Sequence, residues 1–178
     1  MALIADVALA GALLLVVAGV RHLRHGIGVI TSHALLPGWL ARQGSRVEPV
    51  VGLSLAAAWL SGAHPAVRAA GALAAVWHLL LVGYLVVVWR TRGRVPCGCL
   101  DDTSRVSGVK VGMGLLWAMA SAALAAGLAP PPADLVPRSA HLLPAAFVAG
   151  LAVVAGLVVD LLGTSRAPQE YMHRKGDT

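Results

Sequence analysis

The two cysteines of this 178-residue chain, Cys97 and Cys99, are separated by a single glycine. A glycine lets the backbone bend, so the two sulfur atoms can approach each other. A bridge between residues this close departs from relaxed disulfide geometry, and strained disulfides are the more easily reduced ones. The spacing therefore favours a redox pair that cycles over a structural disulfide, and either cysteine can be the attacking one.

Basic residues surround this Cys-Gly-Cys motif, at Arg90, Arg92, Arg94 and Arg105. Positive charge favours the thiolate, which is the form of cysteine that attacks disulfides and binds metals. Arg94, three residues before Cys97, is the candidate for direct support. The alternative is that two small residues fall together at a turn, since cysteine often packs as a small hydrophobe.

A metal site is a second reading of the motif. Cys97 and Cys99 together with His22 and His25 would make a tetrahedral Cys2His2 zinc set, although the two pairs lie in separate loops. This stays the weaker alternative, and no cofactor is predicted.

Two further residues, Glu48 and His78, are candidates to support the redox pair or to do chemistry inside a membrane. His78 lies in the middle of an apolar run, where ionisable groups are functional candidates by default. A neutral histidine that hydrogen-bonds Ser54 or Ser121 of a neighbouring helix is the structural alternative. Glu48 begins another apolar run, and a salt bridge or a headgroup contact would explain it.

The composition places these residues in a membrane protein. Hydrophobic residues make up 58% and charged residues 12% of the chain, and the mean hydropathy is +0.78. Soluble proteins carry about 25% charged residues. The net charge of +6 comes from short clusters between apolar runs, so no nucleic-acid partner is expected. The phosphate-binding and hydrolase motifs are missing, which argues against an ATPase or a hydrolase.

The apolar runs are continuous, which favours helices over barrel strands. We expect an all-α, polytopic membrane helix bundle with four to five transmembrane helices in one domain, residues 1–165, followed by a polar tail, residues 166–178. The predicted spans are residues 2–20, 47–63, 66–89, 109–129 and 142–162. Residues 21–46 are predicted to form an interfacial loop with a short helix. The first run lacks a preceding basic residue, so it is read as a retained span.

The orientation follows from the Lys and Arg residues, which are enriched in short cytoplasmic loops. With the N-terminus outside, all of them except Arg68 and Arg138 fall on the inner side. The multi-pass chain in the cell membrane then has its Cys-Gly-Cys loop and its C-terminus in the cytoplasm, where thiols are normally reduced.

The segment Arg92-Gly93-Arg94-Val95-Pro96-Cys97-Gly98-Cys99 between two apolar helices resembles the Cys-Gly-Cys loop of the methylamine utilisation protein MauE family, related to DoxX-like membrane proteins. Gly19-Val20-Arg21 at the end of the first run and Glu48 add to the likeness. The resemblance implies a redox-associated role in maturing another protein, in the name-giving case the disulfide-rich small subunit of methylamine dehydrogenase. That maturation is extracytoplasmic, whereas the charge distribution places the loop inside.

The leading hypothesis is thiol–disulfide exchange at Cys97 and Cys99 with a thioredoxin-like protein or a maturing protein substrate. One way to reconcile the two sides is that the loop exchanges electrons in the cytoplasm and another partner completes the path. The alternative hypothesis is a non-catalytic membrane scaffold or small-solute carrier, with an incidental or zinc-binding loop and a polar path lined by His78 and Glu48. Small residues on the predicted helices leave a homodimer open.

Overall fold

The computed structural model describes residues 2–97 and 105–129, and this part of the chain is helical. Its helices are α1 (Ala2–His25), α2 (Gly28–Ser32), α3 (Gly38–Ser61), α4 (His64–Arg92) and α5 (Gly108–Ala125). Within the described ranges there is no strand, only an isolated antiparallel bridge between Pro96 and Arg105. The prediction of an all-α protein is confirmed.

The four long helices form an antiparallel bundle in which each helix packs against two others. α1 packs against α3 and α5, and α4 packs against α3 and α5. A two-residue connection joins α3 to α4, because Gly62 has the left-handed φ of +70° that ends a helix abruptly. The up-down-up-down order therefore places the C-terminal ends of α1 and α4 beside the N-terminal ends of α3 and α5. We call this the loop end of the bundle.

Glycines allow the helices to approach closely. A Cβ atom at Gly71 of α4 would lie 2.9 Å from the Ser121 carbonyl oxygen of α5, and one at Gly52 of α3 would collide with the Ala12 carbonyl oxygen of α1. Lipid provides no hydrophobic drive for helix association, so such close backbone packing contributes much of the stability. The buried core between the helices is correspondingly rich in alanine.

Three of the described helices are long and apolar enough to cross a membrane, namely Leu3–Arg24, His64–Arg92 and Gly108–Ala125. The chain is therefore a multi-pass membrane protein. α3 carries Arg42, Arg46 and Glu48 and does not meet the same criterion, although it runs along α1. The predicted span 142–162 and the tail 166–178 lie outside the described residues.

Three helices are longer than the apolar runs that predict them: α4 by a few residues at each end, and α1 and α3 by more. α1 continues through residues 21–25 and is followed by Gly26, whose φ is +83° and whose N–H donates to the His22 carbonyl oxygen. α3 starts at Gly38, nine residues before the predicted run, so the prediction of a loop up to residue 46 is wrong there. The polar residues of these turns are compatible with a helix, and apolarity marks only the part of a helix that lies in lipid.

Basic residues concentrate at the loop end. Within the described residues they are Arg21, Arg24, Arg42, Arg46, Arg90, Arg92, Arg94, Arg105 and Lys110. At the opposite end of the described bundle stands Arg68, whose Nε donates a hydrogen bond of 3.0 Å to the carbonyl oxygen of Ala125 at the end of α5. The bundle is therefore strongly asymmetric in charge.

Candidate functional site

Cys97 is buried at the loop end, with 1% of its surface exposed. It packs in a small apolar cluster with Leu85 and Val88 of α4 and with Val106 before α5. Cys97 is disulfide-bonded in the structure. The other cysteine of the sequence, Cys99, lies outside the described residues. Of the predicted redox pair, the structure therefore describes Cys97.

The two backbone segments that flank the cysteine loop pair with each other, and we call these paired segments, residues 95–96 and 105–106, the neck. The Val106 N–H donates to the Val95 carbonyl oxygen at 2.9 Å, and Pro96 pairs with Arg105 in the antiparallel bridge. Val95 and Val106 also pack in or against the apolar cluster around Cys97. This neck fixes the point at which the loop leaves the bundle.

A histidine from a distant part of the sequence holds the neck. The Nε2 atom of His33 lies 2.8 Å from the Pro96 carbonyl oxygen, and its Nδ1 atom lies 2.6 Å from the Tyr84 hydroxyl oxygen. His33 follows α2 directly and is 4% exposed, whereas Tyr84 is a partly buried residue of α4. The ring therefore connects three segments: the α2–α3 connection, α4 and the peptide before Cys97.

The hydrogen bonds determine which nitrogen of His33 carries a proton. A carbonyl oxygen can only accept, so Nε2 is protonated and donates to Pro96. In the neutral ring Nδ1 then accepts from the Tyr84 hydroxyl. The same hydroxyl lies 3.4 Å from the Ile30 carbonyl oxygen, which gives it a second, longer acceptor.

Glu48 and His22 form a second polar contact at the loop end. The Nδ1 atom of His22 on α1 lies 2.9 Å from Oε2 of Glu48 on α3, and both side chains are buried. The contact lies beside the close approach of Gly19 to Pro49. Glu48 thus finds a buried histidine of a neighbouring helix, which accounts for a carboxylate in this part of α3.

The zinc alternative is described only in part. Among the described residues no group of three or more His, Cys, Asp and Glu side chains lies close enough to hold a metal ion. His22 uses Nδ1 for Glu48, and the histidine at the cysteine loop is His33. Cys99 and the His25 side chain lie outside what the structure describes.

His78 lies deep in the bundle and is 2% exposed. Its Nδ1 donates to the Ala74 carbonyl oxygen of its own helix at 2.8 Å, and its Nε2 lies against Gly11 without a hydrogen-bond partner in the described residues. The expected bond to Ser54 or Ser121 is absent from the described bundle: Ser54 donates to Val50, and the Ser121 hydroxyl is itself unpartnered.

His78 and Glu48 do not share a site. Along α1 they contact Gly11 and His22, respectively. Eleven residues of helix separate these positions, which corresponds to about 16 Å at 1.5 Å per residue. The structure brings neither residue into the cluster around Cys97.

The arginines predicted to support the cysteines are exposed around the loop. Arg94 precedes the neck, Arg105 pairs with Pro96 in the isolated bridge, and Arg90 and Arg92 belong to the last turn of α4. Their positive charges are therefore exposed at the loop end of the bundle.

Comparison with known protein families gives a match over most of the chain. The sequence model of the family described as methylamine utilisation protein MauE matches residues 1–130. The chain belongs to the MauE family. The match spans all of the described helices, including the loop and the His22–Glu48 pair, so the resemblance expected from the Cys-Gly-Cys motif and Glu48 is confirmed.

Neither the curated proteins nor the solved structures contain a match to this MauE-family chain.

Proposed function

We propose that this MauE-family protein performs thiol–disulfide exchange at Cys97 and Cys99 and so assists the maturation of a partner protein. The observation that supports it most is the setting of Cys97: a disulfide-bonded residue, held by a closed neck, at the charged end of a membrane bundle. The name of the family adds that the partner belongs to methylamine utilisation. The disulfide-rich small subunit of methylamine dehydrogenase, or a thioredoxin-like protein that serves it, is the proposed partner.

The burial of Cys97 supports an order for the reaction. With 1% of its surface exposed, its sulfur cannot be reached by an external thiol, so exchange begins at Cys99. A partner thiolate attacks the Cys99 sulfur, the proposed Cys97–Cys99 bond breaks, and its electron pair leaves with Cys97 as a thiolate. The product is a mixed disulfide between Cys99 and the partner.

The second step completes the transfer. The second thiolate of the partner attacks the partner's own sulfur in the mixed disulfide, and Cys99 leaves as a thiolate. Two electrons thereby pass from the partner dithiol to the loop, and the two protons that the partner loses are taken up by Cys97 and Cys99. The reverse sequence reduces a partner disulfide.

The exposed arginines suit both steps. Arg94 and Arg105 lie next to the neck, where positive charge stabilises the thiolates that leave. Such charges also attract an acidic partner surface, and this effect weakens as salt increases.

We further propose that the loop end faces the cytoplasm. The described basic residues gather there, as they do in cytoplasmic loops of membrane proteins. An exported partner then receives its oxidising equivalents through a further carrier, because one loop cannot pass electrons across about 30 Å of hydrocarbon.

Replacing both cysteines by serine tests the function against the scaffold or carrier alternative. In a host that grows on methylamine, we expect the Cys97→Ser, Cys99→Ser chain to reach the membrane at normal levels, while the small subunit of methylamine dehydrogenase accumulates with free thiols. A His64→Ala chain, changed at an exposed residue of the opposite end, is the control. Normal disulfide content with the double variant would reject the redox proposal and favour the alternative.

A further inference from the structure

We propose that His33 is a positioning residue for Cys97: it fixes the peptide before this cysteine and so keeps the Cys97 sulfur buried in the apolar cluster. The inference rests on the proposed exchange at the loop for its biological meaning. Its geometric part, the control of Cys97 accessibility, stands on described residues alone.

The hydrogen bond from His33 to Pro96 restrains the peptide that leads into Cys97. The oxygen that accepts from Nε2 belongs to the peptide unit that also contains the Cys97 nitrogen. A peptide unit is planar, so fixing its oxygen fixes the direction in which the chain enters Cys97. Pro96 adds to this restraint, because its ring locks φ at about −65°.

The His33 ring is itself held in place by Tyr84 of α4. The contact with Tyr84 at 2.6 Å anchors His33 to α4, one residue before Leu85 of the cluster that buries Cys97. Leu35, two residues after His33, packs against the same cluster. The histidine and the apolar wall around the sulfur are therefore parts of one assembly, in which Tyr84 also selects the tautomer that donates to Pro96.

The burial of Cys97 depends on this restraint. Cys97 is buried in the cluster because the neck sets the direction of the chain before it. Among the described residues, His33 is the side chain that donates a hydrogen bond to the Pro96 carbonyl oxygen. Pro96 is itself exposed, so without that donor water takes the place of the imidazole at the carbonyl oxygen, and the peptide is free to turn. Turning the peptide carries Cys97 out of the cluster.

The test measures the alkylation rate of Cys97 in the purified full-length protein, reduced, in a Cys99→Ser background. We expect His33→Leu to raise the rate constant with a maleimide about tenfold, a change of the size that the loss of one hydrogen bond accounts for. His33→Gln keeps an N–H donor at a similar reach and should stay near the parent rate. Tyr84→Phe keeps the His33–Pro96 bond but frees the tautomer, so we expect a smaller rise.

The matched control is His22→Leu. His22 is also a buried histidine at the loop end, and its Nδ1 atom lies 2.9 Å from Glu48 of α3 rather than against the neck. A general loosening of the bundle would raise the Cys97 rate in both leucine variants. Equal rates in the His33→Leu and His22→Leu chains, or a His33→Gln rate as high as that of His33→Leu, would overturn the positioning role. If His33→Leu does not fold, the Gln and Phe variants decide the outcome.

A second measurement separates this inference from the proposed function. With both cysteines present, the chain is reacted with reduced glutathione, and the loss of disulfide is followed by mass. Faster reduction in His33→Leu than in His22→Leu supports the positioning role whether or not the double-serine chain matures its partner normally. Conversely, a normal His33→Leu rate together with a defective double-serine chain would leave the exchange function standing and reject the role of His33.

Discussion

The Nδ1 atom of His22 and the Oε2 atom of Glu48 lie 2.9 Å apart in the interior of the bundle, and they join α1 to α3 at the loop end. Both helices are antiparallel at this point, with Gly19 packed against Pro49 immediately beside the pair. Removing one partner of a polar contact that is buried between two helices is strongly destabilising, because the other partner stays buried without its hydrogen bond. Its removal therefore makes a sharp test of how the loop end is built.

Glu48→Ala should destabilise the folded protein by about 3 kcal/mol, because it leaves the His22 nitrogen buried without its acceptor. Glu48→Gln retains an oxygen that can accept from Nδ1, so its loss should be about 1 kcal/mol. Unfolding in mixed micelles with increasing denaturing detergent measures both. In a double-mutant cycle with His22→Ala, additive losses would show that the two side chains do not interact.

The close packing of α3 on α1 depends on Gly52. Gly52→Ala should lower the free energy of unfolding by about 2 kcal/mol, since the new Cβ atom meets the Ala12 carbonyl and the helices must separate. Gly83→Ala is the matched control: Gly83 lies inside α4, and a Cβ atom there meets nothing within 4 Å. We expect the control to be neutral or stabilising by up to about 1 kcal/mol, as alanine is the better helix former. Equal effects at both glycines would contradict the described packing.

The sequence predicts the helices and the motif well, but not the contacts that organise the site. Apolar runs indicate the membrane helices, and the spacing of Cys97 and Cys99 stands out because the chain has no other cysteine. His33, by contrast, lies 63 residues from Pro96 in the chain and belongs to a short segment, interrupted by glycine and proline, that has no periodic pattern. Its role follows only from the fold, which brings the end of α2 against α4 and the neck.

Glu48 shows a similar limit. Its position at the start of an apolar run indicates that the Glu48 carboxylate needs a polar or basic partner, and several basic residues nearby are candidates. Which of them faces Glu48 depends on the rotation of α1 about its axis, and that rotation is set by the Gly19–Pro49 and Gly52–Ala12 contacts. The partner that the structure shows is His22, a residue considered from the sequence only as a metal ligand.

His78→Leu tests the polar-path alternative. The Nε2 atom of His78 has no hydrogen-bond partner in the described bundle, and the Ala74 carbonyl keeps its place in the helix without the side chain. We therefore expect stability within about 1 kcal/mol of the parent chain and normal maturation of the partner. His64→Leu, an exposed change on the same helix, is the control. A stable His78→Leu chain that has lost function would favour a carrier in which this histidine binds the solute.

The side of the membrane can be measured with a membrane-impermeant maleimide. After treatment of cells with a permeant reductant, we expect the native loop to react only once the membrane is permeabilised. The control is Ser61→Cys in a chain whose two native cysteines are serine, because Ser61 is exposed at the opposite end. This cysteine should react in intact cells. The reverse pattern would place the loop outside, where it could exchange directly with an exported partner.

The most direct test of the central claim is to trap the mixed disulfide. The Cys97→Ser chain retains Cys99, whose thiolate can attack the disulfide of an oxidised partner and form a mixed disulfide, with one partner sulfur leaving as a thiolate. This chain lacks the cysteine that would displace the bound partner, so the adduct should accumulate in cells until a thiol reductant releases it. The Cys99→Ser chain, with its remaining sulfur buried, should yield far less adduct. Thiol–disulfide exchange predicts a reducible, defined adduct with Cys97→Ser. No adduct with either variant, together with normal partner maturation in both, would contradict it.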